Sequence, residues 1–329
     1  MNEPGGTATV RRPDTGTPRQ GRGQPATPLR SPARRGASPR RAGAPRTAFV
    51  LAGGAALGAM QAGMLEALYE RGVTADLLVG TSAGALNAAY VASRPQTAAT
   101  ARELGAVWCE LRRKDVFPLG PGTLLAGLAG RRDHLVSDRG LRRVAARHLR
   151  IGFLEEAAIP LHLIAHDPLS GQEVRLSAGP AVEAVLAAAA IPGLLPPVRL
   201  GGRVLADGGV SSNTPVSHAV QLGAERIYVL PTADPGASAL PCPPRSAPDA
   251  AVNALTRIFG ARLEDDLARY ATAAELIVLP AANPRHVLPT NFGHAREPIA
   301  LSLAAARTVL AAHDSAPSAA RASFSGRAA

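Results

Sequence analysis

With 329 residues, 46% of them hydrophobic, the chain has room for one large α/β domain or two small ones and enough apolar side chain for a sizeable core. Aromatic residues make up only 3%, so that core must be filled by Ala, Leu, Val and Ile. The net charge of +11 is concentrated at one end, since residues 1–46 hold ten Arg against Glu3 and Asp14 and the body beyond them carries only +3, which argues against a nucleic-acid partner for the folded part.

In chain order, residues 1–46 combine Pro, Gly, Thr and Arg with almost no apolar side chains. Such a segment cannot offset the entropy of ordering itself and is expected to be a disordered, solvated tail. It lacks the apolar run of a secretory signal, so a cytoplasmic location is the default expectation, extended to peripheral contact with the inner membrane face. Thr47 to Ala52 reads as a short buried strand, followed by a glycine turn and a helix from about Gly58 to Arg71 with Met60, Met64 and Leu68 on one face. Leu77 to Val79 is a second apolar run of strand length, and Ala83 to Ser93 is an Ala-rich helix closed by Pro95. Strand, helix, strand, helix with short joins predicts a parallel-rich α/β sheet flanked by helices.

Arg112 to Arg150 is charged, Gly-rich and weakly periodic, and is expected to be irregular with one or two helices over the sheet. Leu161 to Ala165 and Glu173 to Leu176 read as strands joined by the turn Asp167-Pro168-Leu169-Ser170-Gly171. A helix at Ala181 to Ala190, a short strand at Val204 to Ala206, a helix at Thr214 to Leu222 and a strand at Arg226 to Leu230 continue the alternation, which favours one domain. Thr232 to Asp249 reads as a Pro-rich surface loop, followed by a helix at Ala250 to Thr272, a strand at Leu276 to Leu279 and a helix at Ile299 to His313. The expected domain is therefore 47–313, with a second tail at 314–329. Cys109 and Cys242 lack metal-ligand spacing, so no metal site, disulfide framework or cofactor is expected, and the longest apolar stretch, Val182 to Leu195, is too short to span a bilayer.

Three motifs can carry chemistry. Gly80-Thr81-Ser82-Ala83-Gly84 lies between an apolar strand and an Ala-rich helix, the context in which a sharp turn projects a nucleophilic serine and flanking glycines leave room for it. The pentapeptide alone is also compatible with a βα turn whose serine caps the helix. Gly53-Gly54-Ala55-Ala56-Leu57-Gly58 offers backbone N–H groups to a developing oxyanion. It lacks the Lys and Ser or Thr of a phosphate-binding loop and misses the dinucleotide spacing, which leaves a plain tight turn as its rival. Asp207-Gly208-Gly209 follows a short strand at the sheet edge, where a base or an ordinary turn aspartate both fit.

Together the motifs resemble the patatin-like phospholipase family. The resemblance runs in order over about residues 47 to 310 and includes Glu66 to Gly84, Pro160 to Asp167, Ala190-Ile191-Pro192-Gly193 with Pro196-Pro197, and Asp207 to Pro215. It implies a three-layer α/β/α fold and hydrolysis of lipid acyl esters through a Ser-Asp dyad. Ser82 matches the nucleophile, Asp207 the base followed by Gly208 and Gly209, and Gly53, Gly54 and Ala55 the oxyanion turn. Gly80 and Gly84 flank the elbow. Two positions depart from the family: Ala55 stands where a third Gly is common, and Leu57 where a basic residue is common. A free aspartate is a weak base at neutral pH, so burial should raise its basicity. The alternatives are an α/β-hydrolase triad of Ser82, Asp207 and His294, and a non-catalytic lipid-binding domain. The expected partners are a lipid acyl ester and a membrane surface.

Overall fold

The computed structural model describes residues 45–233, 235, 247–282 and 289–315. The predicted tails, apart from Pro45, Arg46, Asp314 and Ser315, lie outside the described residues, as does most of the predicted loop at 232–249. The elements are β1 (Thr47–Leu51), α1 (Met60–Glu70), β2 (Leu77–Thr81), α2 (Ala83–Ala92), α3 (Ala98–Glu110), α4 (Arg113–Val116), α5 (Pro121–Leu128) and α6 (Arg139–His148). They continue with β3 (Leu161–Asp167), β4 (Gln172–Leu176), α7 (Ala181–Ala188), β5 (Val198–Leu200), β6 (Arg203–Asp207) and α8 (Val216–Gln221). The last are β7 (Arg226–Leu230), α9 (Ala247–Tyr270), β8 (Glu275–Val278) and α10 (Arg296–Ser315).

Strands order as β5-β6-β3-β2-β1-β7-β8, with β4 added to β3, in one mixed, mostly parallel sheet. The run β3-β2-β1-β7-β8 is parallel, whereas β4 and β6 meet β3 antiparallel. Its central strands read as uninterrupted apolar runs because both faces are covered. Alternate residues divide cleanly: Phe49 and Leu51 join one core with α1, α2, α3, α7 and α10, whereas Ala48 and Val50 join a second with α8 and α9. The result is an α/β/α sandwich.

Several elements differ from expectation for physical reasons. Helix α1 is buried from Met60 to Tyr69 instead of along one stripe, because α3 and α10 pack over the side it turns away from the sheet. Residues 112–150 hold three helices, not one or two. Strand β5, hydrogen-bonded to β6, was not expected at all. Arg46, assigned to the tail, is tied to the fold: its carbonyl accepts from the N–H groups of Glu225 and Arg226, and its N–H donates to Glu225 at 3.0 Å.

One feature of the sheet positions the site. Strand β3 pairs with β2 over 161–164 and with β4 over 163–167, so these two occupy opposite edges. Strand β6 pairs with β3 at Ala165↔Asp207 and His166↔Ala206, where β4 already holds the far edge. It therefore takes the edge that β2 leaves after Thr81. Two segments far apart in sequence run toward each other along one strand, and Ser82 and Asp207 meet where they converge.

Candidate active site

Ser82 sits between β2 and α2 with φ 54 and ψ −122, a conformation that side chains rarely adopt and that costs on the order of 1–3 kcal/mol. It occupies the N-cap position of α2, yet its side chain makes no capping bond. The helix-capping alternative for this motif is thereby set aside. The elbow is held by close packing. A Cβ on Gly80 would lie 2.5 Å from the Gly84 carbonyl oxygen, and one on Gly84 would overlap the Leu51 carbonyl of β1.

Asp207 is buried at the end of β6. Its Oδ1 accepts from the Gly209 N–H at 2.7 Å, and the neighbouring Ser82 side chain favours its ionised form. Desolvation outweighs the lowering effect of Ser82 and of the Gly209 N–H and raises the carboxyl pKa from 3.8 to about 6. Gly208 lies so close over β3 that a Cβ would overlap the Ile164 carbonyl. The C-terminal end of α7 and the residues just past it bridge the pair: the Ser82 N–H donates to the Ala188 carbonyl at 3.0 Å, and the Asp207 N–H to the Ala190 carbonyl at 2.9 Å. Thr81 Oγ1 also donates to the Ser212 carbonyl at 2.9 Å, tying the end of β2 to the loop behind Asp207.

The glycine turn follows β1 beside the elbow; a Cβ on Gly53 would lie 3.0 Å from Ser82 Cβ. Gly53 was expected to offer its N–H to an oxyanion, but that N–H donates to the Asn213 carbonyl at 3.0 Å. Its carbonyl in turn accepts from Asn213 Nδ2 at 3.3 Å and from the Thr232 hydroxyl. Gly53 is clamped on both sides. The N–H groups of Gly54 and Ala55 have no hydrogen-bond partner among the described residues. Ala55 carries φ 49, the left-handed region in which a Cβ is strained.

A buried polar chain, not foreseen from the sequence, holds this turn. Gln61 Nε2 donates to the carbonyls of Ala52 at 2.8 Å and Leu230 at 2.9 Å. Asn87 Nδ2 donates to Gln61 Oε1 at 2.8 Å and to the Gly58 carbonyl at 2.9 Å. Trp108 Nε1 donates to Asn87 Oδ1 at 2.8 Å. Polar residues at the wholly buried positions of α1 and α2 were the available signal, since such groups need partners.

Ser82 opens into a cleft lined by Ala55, Leu86, Trp108, Phe117, Ile191 and Phe292 together with other apolar residues. Ser82 is the polar residue of that lining apart from the indole N–H of Trp108, which is already donated to Asn87. His294 is exposed in a turn next to Phe292, and no histidine bonds to Ser82 or Asp207 among the described residues. Those residues also contain no cluster of three metal-ligating side chains.

A family model described as patatin-like phospholipase matches residues 49–220, just over half of the chain. An uncharacterized NTE family protein of Mycobacterium bovis is 31% identical over 175 residues, 53% of this chain and 45% of that one. Another, from Mycobacterium tuberculosis, is 34% identical over 188 residues, 55% of this chain and 29% of its own length. A lysophospholipase of Aspergillus terreus is 27% identical over 194 residues, 55% of this chain and 12% of its own. The matched region spans less than half the length of these curated relatives. Among solved structures, VipD from Legionella pneumophila aligns over 82% of this chain and 67% of its own, with a TM-score of 0.43 and 14% identity. The family match runs from within β1 to within α8 and takes in both Ser82 and Asp207, and the chain belongs to the patatin-like phospholipase family.

Proposed function

We propose that the protein is a serine-dependent hydrolase of lipid acyl esters that works through a Ser82–Asp207 dyad. The observation that carries this reading is a strained serine beside a buried carboxylate at an apolar cleft. The family and the Aspergillus terreus lysophospholipase support the lipid ester as substrate class.

Asp207 accepts the Ser82 proton as Oγ attacks the ester carbonyl carbon. The resulting oxyanion is stabilised by the unpartnered N–H groups of Gly54 and Ala55, helped by the N-terminus of α2. Collapse breaks the ester bond, and the departing alcohol takes the proton from Asp207. Water then gives a proton to Asp207 and attacks the acyl-enzyme, releasing the fatty acid as Ser82 recovers its proton. With a pKa of about 6 the carboxylate is ionised at neutral pH and a stronger base than a free aspartate. The cleft takes the acyl chain.

The test is covalent labelling by a fluorophosphonate probe combined with turnover of a short-chain aryl ester. Labelling at Ser82 and loss of both signals in Ser82→Ala are the expected results. Substantial turnover by a folded Ser82→Ala protein would end the serine hydrolase reading, and absence of labelling would favour a lipid-binding domain.

A further inference from the structure

Helix α5 lies in the chain between two segments that line or adjoin the cleft, and it is at most half-buried. Its sequence, PGTLLAGL, has no charge, and none of its residues is buried. Leu125 and Leu128, three apart and hence on one face, are 67% and 69% exposed, and Leu119 just ahead is 56% exposed. Both ends of the segment are fixed at the cleft. Ahead of α5, Val116 and Phe117 line the cavity. Behind it, the N–H groups of Leu135 and Val136 donate to the carbonyls of Gly193 at 3.1 Å and Leu194 at 2.9 Å, between the lining residues Ile191 and Leu195. Clustered exposed leucines of this kind mark an interaction surface.

The surrounding charge indicates the partner. Arg112, Arg113 and Lys114 precede the helix and Arg131 and Arg132 follow it; all five are exposed, and none forms an ion pair among the described residues. The acids of the segment are engaged locally, Asp115 with the Arg112 N–H at 2.9 Å and Asp133 with His134 Nδ1 at 2.7 Å. Leucines set between two basic clusters match a bilayer, whose acyl boundary takes the apolar face and whose anionic headgroups take the cations. A two-fold pairing of this face would instead set the same basic flanks of two copies against each other.

We propose that α5 and its basic flanks dock the protein on an anionic lipid surface, so that the cleft mouth opens onto the membrane. The proposal rests on reading Ser82 as the nucleophile of a lipid ester hydrolase, and its test keeps the two apart.

The full chain is sedimented with phosphatidylcholine vesicles with and without phosphatidylglycerol, and turnover of a soluble short-chain ester is measured in parallel. Wild type should bind more tightly when phosphatidylglycerol is present. Arg131→Gln with Arg132→Gln should lower partitioning about fivefold per charge removed. Leu125→Ser with Leu128→Ser should lower it at least about tenfold. Both variants should turn over the soluble ester like wild type. Unchanged vesicle binding in both variants, as when the arginine-rich residues 1–46 do the binding, overturns the proposal. So does a wild-type dimer that the leucine variant dissociates with no change in vesicle binding, which would assign the face to a second copy. Vesicle binding without soluble-ester turnover in wild type would strike the hydrolase reading and leave the docking result standing.

Discussion

Replacing Asp207 by Asn should separate the stability of the fold from its chemistry, because the burial that strengthens the base also penalises its ionised form. The folded pKa of about 6 lies above the ordinary 3.8. Between those values the folded protein still holds a proton that the unfolded chain has lost, so this group's contribution is full at low pH and is lost as pH rises through about 6. The displacement corresponds to about 3 kcal/mol at neutral pH and above. Asn keeps an Oδ1 for the Gly209 N–H and carries no charge. The variant should therefore be the more stable protein above neutrality, by up to about 3 kcal/mol, with the gap growing by about 1.4 kcal/mol between about pH 5 and pH 8. Urea denaturation followed by circular dichroism at the two pH values measures it. Wild-type turnover of a soluble ester should rise about tenfold over the same interval as the carboxylate ionises, and turnover should be absent in Asp207→Asn. A gap that does not change with pH, or a variant less stable than wild type at the higher pH, would refute the raised pKa and remove the reason for assigning the base to Asp207.

Ala55→Gly relieves a left-handed alanine and should stabilise the protein by about 0.5–1 kcal/mol after the greater freedom of glycine in the unfolded chain is counted; an unchanged or lower thermal midpoint would contradict the strain. Trp108→Phe leaves the buried Asn87 Oδ1 without its donor and should cost about 1–3 kcal/mol in denaturant titration, whereas a neutral result would mean that the chain from Trp108 to Gln61 does not hold the turn. His294→Ala should keep soluble-ester turnover within about tenfold of wild type; a collapse with the circular dichroism spectrum preserved would favour a histidine triad.

The elements legible in the sequence are those whose environment is uniform. β1, β2 and β7 are covered on both faces and read as plain apolar runs, and α2 is buried along its whole length and reads as an unbroken Ala-rich stretch. Elements with a mixed environment were missed. β5 is three residues between Pro196-Pro197 and Gly201-Gly202, too short for alternation to show, and only its pairing with β6 makes it a strand. α5 is apolar yet at most half-buried, so it has no polar face to set a period. α3 opens on a helix-start signal, Thr97, whose side chain accepts from the Thr100 N–H. In the site, Ser82 and Asp207 were visible because glycines that packing requires surround them. The clamp on Gly53 was not, because Asn213 and Thr232 are distant in sequence and reach it only through the fold.

Asp207 reaches Ser82 through a ladder of two residue pairs between β6 and β3. Side chains alternate across a strand, so a slip of one residue would turn the Asp207 carboxylate to the opposite face of the sheet while leaving most of the two cores in place. On the proposed mechanism, a molecule so slipped lacks its base altogether. A refolded or stressed preparation should divide into fully active and fully silent molecules with similar overall spectra, instead of showing a uniform decline. In such a preparation, specific activity counts correctly paired chains, and titration with a serine-directed probe should fall in step with it while the turnover number per labelled molecule stays constant.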